Sequence, residues 1–191
     1  KVMGAIKDYG KKLGESVAVQ SLKTTGTAMV ADLTNHLGAL PVRNFSGGQL
    51  TTADDGPLKM GGDFIRELNS GRGGEISHAC MPGCLLKCSN VYVDDTGREL
   101  VSPLEYETIG LLGTNCGLTE PDDVAQLNET ANDLGVDSIE LGATIAVLMD
   151  AGEGAFGDLG FMQACLEEIR AGSEKGRLYA SGTARIGEAL K

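Results

Sequence analysis

Three thiols within nine residues, Cys80, Cys84 and Cys88, form the densest concentration of metal-ligating chemistry in the chain. Iron–sulfur clusters take their ligands from closely spaced thiolates of this kind. Pro82 and Gly83 bend the chain between the first two cysteines. Such a bend lets sulfurs and backbone N–H groups converge, where a regular helix would stack the sulfurs along its length. Two other readings fit the same residues. His78, two positions before Cys80, would complete a zinc site, although structural zinc sites usually draw their ligands as two separated pairs. Positions i, i+4 and i+8 would also make a buried stripe in which cysteine acts as a small hydrophobe. Of the remaining thiols, Cys116 closes the stretch Thr114-Asn115-Cys116-Gly117 between two helices and is a candidate fourth ligand. Cys165 falls on the apolar face of a helical pattern and reads as core.

The elements that must position these thiols are mainly helical, and the predicted class is an all-α, multi-helical single domain over 1–191. Apolar spacing predicts a helix over Thr27 to Leu37, with Met29, Val30, Leu33 and Leu37 on one face and Gly38 then Pro41 as stops. From 41 to 74 the composition turns to Gly, Asn, Ser and Asp, a long Gly-rich loop or insert interrupted by a short helical piece at Asp63 to Leu68. The cysteine segment spans 77–90. After it, Asn90 to Val93 and Glu99 to Val101 predict a small β-hairpin closed by Asp95-Thr96-Gly97. Ser102-Pro103-Leu104-Glu105 reads as a capping box with proline at the first helical position, opening a helix to about Gly113.

Further helices are expected from near Thr119-Glu120-Pro121, with Val124, Leu127, Ala131 and Leu134 on one face and Gly135 as its end; from Asp137 onward, carrying Leu141, Ile145, Leu148 and Met149; and from about Leu159 to Ala171. A last helix from Glu174 to Leu190 is weakened by Gly176, Gly182 and Gly187. The chain opens at Lys1 with apolar residues already in helical spacing, and it is expected to be a piece of something longer.

Composition excludes some partners. A net charge of −11 and a pI near 4.6 oppose nucleic acid, which needs clustered Lys and Arg, and oppose an anionic membrane surface equally. No apolar run reaches the roughly 20 residues needed to cross a bilayer, and no leader pattern opens the chain. Five cysteines, an odd number with three packed together, look like ligands in a reducing cytoplasmic compartment and unlike an extracellular disulfide framework.

Several motifs, in order, resemble the middle domain of the aldehyde:ferredoxin oxidoreductase family, the tungsten- or molybdenum-pterin enzymes. They are Gly38-Ala39-Leu40-Pro41-Val42-Arg43-Asn44-Phe45; Ser77-His78-Ala79-Cys80-Met81-Pro82-Gly83-Cys84 through Cys88-Ser89-Asn90; Pro103-Leu104-Glu105-Tyr106-Glu107-Thr108; Leu112-Gly113-Thr114-Asn115-Cys116-Gly117; and Asn132-Asp133-Leu134-Gly135-Val136-Asp137-Ser138-Ile139, leading to Gly142. The resemblance implies oxidation of an aldehyde to a carboxylic acid at tungsten or molybdenum held by two pterin dithiolenes, with electrons leaving through a [4Fe-4S] cluster to ferredoxin. Three of the family's cluster cysteines map onto Cys80, Cys84 and Cys88. Better-known members separate the first two by two residues, and here three intervene.

The same resemblance places a proton-handling carboxylate in Glu105-Tyr106-Glu107. Glu105 has a capping role available with Ser102, which leaves Glu107 freer, and either suits a solvated carboxylate at a helix start. It also sets Asp137 at the start of a pterin-contacting motif that ends at Gly142. Asp137 equally suits a helix N-cap, and the two roles coexist at a helix N-terminus.

The family's N-terminal β-rich domain, and the C-terminal domain that supplies a second pterin motif and a fourth cysteine, have no counterpart in this sequence. The resemblance therefore implies flanking domains of the same enzyme as partners, and a piece that is inactive alone and need not hold its metals. Self-association is left open. Lys87 is a candidate basic contact for an acidic electron carrier, or a plain surface lysine. Against this reading stand a zinc-stabilised helical module and a metal-free helical structural or interaction domain.

Overall fold

The computed structural model describes residues 2–191. Helices α1 (Val2–Gly14), α2 (Val17–Thr25), α3 (Met29–His36) and α4 (Gly62–Gly71) precede a sheet of three short strands, β1 (Glu75–His78), β2 (Ser89–Val93) and β3 (Glu99–Val101). One turn, α5 (Tyr106–Thr108), runs on as a π turn over Ile109–Gly113 and a 3-10 turn over Thr114–Cys116. Then come α6 (Pro121–Leu134), α7 (Ser138–Asp150), α8 (Leu159–Ala171), α9 (Glu174–Tyr179) and α10 (Thr183–Ala189). The expected class, mostly helical with little sheet, is the class observed.

Local chemistry accounts for the strongest boundaries. Pro121 opens α6 and Gly135, at φ 70°, closes it. Asp137 caps α7 by accepting from Glu140 N (2.7 Å), and Asp158 caps α8 by accepting from Phe161 N (3.0 Å). Each cap satisfies a donor that the first turn leaves free. The core sits where these helices meet the π turn: Leu112, Leu127, Ile145, Met162, Leu166 and Ile186 are fully buried. Gly142 lets α7 approach that turn, because a Cβ there would come within 2.4 Å of the Leu111 carbonyl.

The sheet is antiparallel in the order β1-β2-β3. Tyr92 on β2 is buried and donates to Asp122 Oδ1 (2.6 Å), while Arg72 grips both oxygens of Asp122 at 2.6 and 2.9 Å. These bonds tie the end of α4, the sheet and the start of α6 together.

Several expectations change. The hairpin has a third strand, β1, whose irregular register and left-handed Ser77 (φ 60°) break the alternation that would announce it. The helical piece inside 41–74 is longer than expected, and buried Leu58, Met60 and Ile65 secure it to the core.

Residues 102–105 are not helical. Ser102 Oγ instead donates to Asn90 O (3.2 Å), and Glu105 stands at the N-cap position of α5 with extended backbone. The capping box is thus corrected. In α3 the buried face carries Ala31, following buried Ala28, while Leu33 and Leu37 are 54% and 66% exposed. The expected terminal helix is two helices, α9 and α10, separated at Gly182 with φ 96°. No helix among the described residues is long and apolar enough to cross a membrane.

Candidate metal centre

Residues 79–88 connect β1 to β2, so the three cysteines lie on one hairpin loop. Its base is fixed from several sides. Asn69, buried in α4, donates through Nδ2 to Val91 O and accepts from Val93 N, both at 3.0 Å. Asn90 forms a two-way clamp with Leu104, its Nδ2 donating to the Leu104 carbonyl and its Oδ1 accepting from the Leu104 N–H, again at 3.0 Å each. Gly26, just past α2 at φ 65°, packs on the Cys88 carbonyl; a Cβ there would stand 2.9 Å from that oxygen.

Within the loop, Cys84 N donates to Met81 O (3.2 Å), closing a turn with Pro82 second and Gly83 third at φ 79°. That residue order suits a type II turn. Lys87 is left-handed at φ 47°, which costs a residue with a Cβ about 1 kcal/mol. The N–H groups of Lys87 and then Leu86 are directed at Cys84 and, with a smaller contribution from the Cys80 thiol, hold it below the ordinary thiol range. A thiolate stabilised by backbone N–H groups is what a metal ligand requires. Cys88 moves the opposite way, raised by burial first and by the charge of Glu105 second, with smaller contributions from Cys84 and Cys80. Cys80 is exposed and the other two are half-buried.

The donor set fits an iron–sulfur cluster in chemistry: three thiols lie on one hairpin loop, and backbone N–H groups favour the thiolate of Cys84. Among the described residues, no three His, Cys, Asp or Glu side chains close on a point as a single metal ion needs. A cluster instead takes its thiolates around a larger body, one to each iron. His78 Nδ1 lies 3.1 Å from Glu75 Oε2, without the alignment of a hydrogen bond.

Cys116 is corrected from candidate ligand to core. Its side chain is fully buried, Sγ donates weakly to Gly142 O (3.3 Å) and Leu111 O (3.5 Å), and burial pushes its pKa up to about 12. Cys165 is buried as expected.

The candidate carboxylates separate. Glu107 is exposed on α5. Glu105 is half-buried, accepts from the Thr27 hydroxyl, and is raised from the ordinary carboxylate range by burial first, an effect that Thr27 opposes. Thr27 Oγ also accepts from Tyr106 N (2.9 Å), capping α5. Thr108 and Ser138 hydroxyls meet at 2.8 Å, which sets the start of α7 beside α5 and brings the segments of Glu107 and Asp137 together. Asp137 borders a cavity of about 260 Å3 also lined by Glu140, Thr144, Tyr179 and Gly182. Gly142 is buried against backbone. Lys87 is exposed beside the cysteines.

The family model described as aldehyde ferredoxin oxidoreductase, domains 2 and 3, matches residues 4–191. A tungsten-containing aldehyde ferredoxin oxidoreductase of Pyrococcus furiosus is 27% identical over 152 residues, covering 78% of this chain and 23% of that protein. Proteins of the same description from Pyrococcus horikoshii and Pyrococcus abyssi are 30% and 31% identical, with the same coverage. The chain thus spans about a quarter of the length of these relatives. With the family model running through the cysteine loop, α5 and α7 alike, the chain belongs to the aldehyde ferredoxin oxidoreductase family.

Proposed function

We propose that this chain is part of a cytoplasmic oxidoreductase that converts aldehydes to carboxylic acids, in which Cys80, Cys84 and Cys88 hold a [4Fe-4S] cluster. The observation that carries the reading is the single hairpin loop on which Cys80, Cys84 and Cys88 lie, shaped by the Met81 to Cys84 turn at Pro82 and Gly83. The balanced reaction takes an aldehyde and water to a carboxylic acid, two protons and two electrons. When bound, a tungsten or molybdenum bis-pterin supplies the two-electron chemistry and the cluster supplies one-electron transfer toward ferredoxin.

The chain's own residues have narrower tasks. Glu107, exposed at the first turn of α5, handles a proton. Asp137 and the free N–H groups at the start of α7 meet the polar edge of the pterin. Gly142 serves that site indirectly, by keeping α7 close to the π turn. Cys116 and Cys165 lie in the core, and the family resemblance implies that a flanking domain of the same enzyme supplies the fourth cluster ligand. Lys87 offers a local positive charge to an acidic carrier.

Full-length protein prepared without oxygen is expected to contain iron together with tungsten or molybdenum. Replacing Cys80, Cys84 and Cys88 by Ser is expected to remove the visible cluster absorbance and aldehyde-dependent electron transfer. Full-length protein with neither iron nor a heavy transition metal would overturn the reading.

A further inference from the structure

Three contacts place Glu105 beside the segment that leaves the cysteine loop. Asn90, two residues beyond Cys88, clamps the backbone of Leu104 with two hydrogen bonds, so the residue before Glu105 is fixed to the strand that leaves the loop. Gly26 packs against the Cys88 carbonyl, and its neighbour Thr27 donates its hydroxyl to the Glu105 carboxylate. The same Thr27 oxygen accepts from Tyr106 N, so one hydroxyl orients both the carboxylate and the turn behind it. Glu105 has no basic partner among the described residues' ion pairs.

We propose that Glu105 is a fixed negative charge that sets the reduction potential of the cluster bound through Cys88, and that Thr27 is the residue positioning it. This assignment rests on the proposed cluster and gives Glu105 a role distinct from proton handling. Adding an electron to a cluster beside a half-buried carboxylate is opposed by repulsion that water screens only in part. Glu105 therefore lowers the potential, and releasing or neutralising it raises the potential.

The test is redox titration of the cluster, followed by its EPR signal, in the full-length enzyme at one pH. Glu105→Gln keeps the shape and removes the charge, and is expected to shift the potential upward. Thr27→Val frees the carboxylate and is expected to shift it in the same direction, with Thr27→Ser restoring the parent value. The double variant Thr27→Val with Glu105→Gln is expected to show no further shift beyond Glu105→Gln alone. If Thr27→Val does not fold, the Glu105→Gln titration decides. A cluster whose potential ignores Glu105→Gln overturns the assignment, whereas a parent enzyme with no cluster signal overturns the reading beneath it.

Discussion

At the scale of single residues, the loop contrasts two kinds of cysteine. Cys84 is assisted by backbone N–H groups, while Cys116 is raised to about 12 by burial. In metal-free protein at neutral pH, Cys84 is therefore expected to be alkylated well before Cys116, as mass spectrometry after a timed pulse of iodoacetamide would show; equal rates would count against the loop geometry. The thiols themselves were legible in the sequence, because three cysteines in nine residues around Pro-Gly have few structural uses.

The roles of the residues that orient them were not legible. Thr27 lies 78 positions from Glu105, and nothing local distinguishes its hydroxyl from any other threonine near a helix start. Asn90 left a clue, an amide in a predicted strand, which must find partners if buried. The capping box failed for a related reason: Ser102 is spent on the Asn90 carbonyl, and Thr27, far away in sequence, caps the helix in its place.

At the scale of elements, the Arg72, Asp122 and Tyr92 group is the fastening between sheet and helices. Asp122→Ala leaves a guanidinium and a phenol without their acceptor, and is expected to cost about 2 kcal/mol, read from denaturant midpoints. Tyr92→Phe removes one bond and is expected to cost about half as much. The group also sets a pH dependence. Arg72, through its hydrogen bonds, holds Asp122 below the usual carboxylate range. Its stabilising contribution is thus complete above the unfolded value of about 4 and is lost as pH falls through the lower folded value. Burial raises Tyr92, so its contribution is complete below about pH 10 and is lost as pH climbs beyond it. Asp122→Asn should flatten the acid limb of a stability–pH curve and also shrink the alkaline limb, because after burial it is Asp122 that raises Tyr92. Gly142→Ala, which would press a methyl onto the Leu111 carbonyl, is expected to cost about 3 kcal/mol. A stability unchanged within error would refute the close approach of α7.

At the scale of the molecule, the cysteine loop and the core are separate. Cys80, Cys84 and Cys88 are absent from the set of buried core residues, which centres on α6, α7 and α8. Chelation of the metal is therefore expected to shift the thermal midpoint of the chain only slightly, unlike a zinc module, whose fold depends on its ion. Cooperative unfolding on chelation would contradict this. Helix α1 has no buried residue, and Val2, Met3, Ile6 and Tyr9 are exposed on it. In the isolated chain, trypsin is expected to cut at Lys11 or Lys12 before any site within 121–171. The helices of that region were readable because proline, capping aspartates and closing glycines mark their ends. Of helices α1 and α2, only the first was suggested by the spacing of its apolar residues.

The anchored base of the hairpin has a consequence for how such a loop can vary. Asn69 and Asn90 grip the strands below the tip, so a change in loop length need not be transmitted to the sheet or the helices. The entropic cost of one added residue in a loop of this size is also small. The three-residue spacing between Cys80 and Cys84 can then be accommodated by the Met81 to Cys84 turn alone. The tip is thus a segment whose ligand spacing can change without moving the sheet or the helices that carry it.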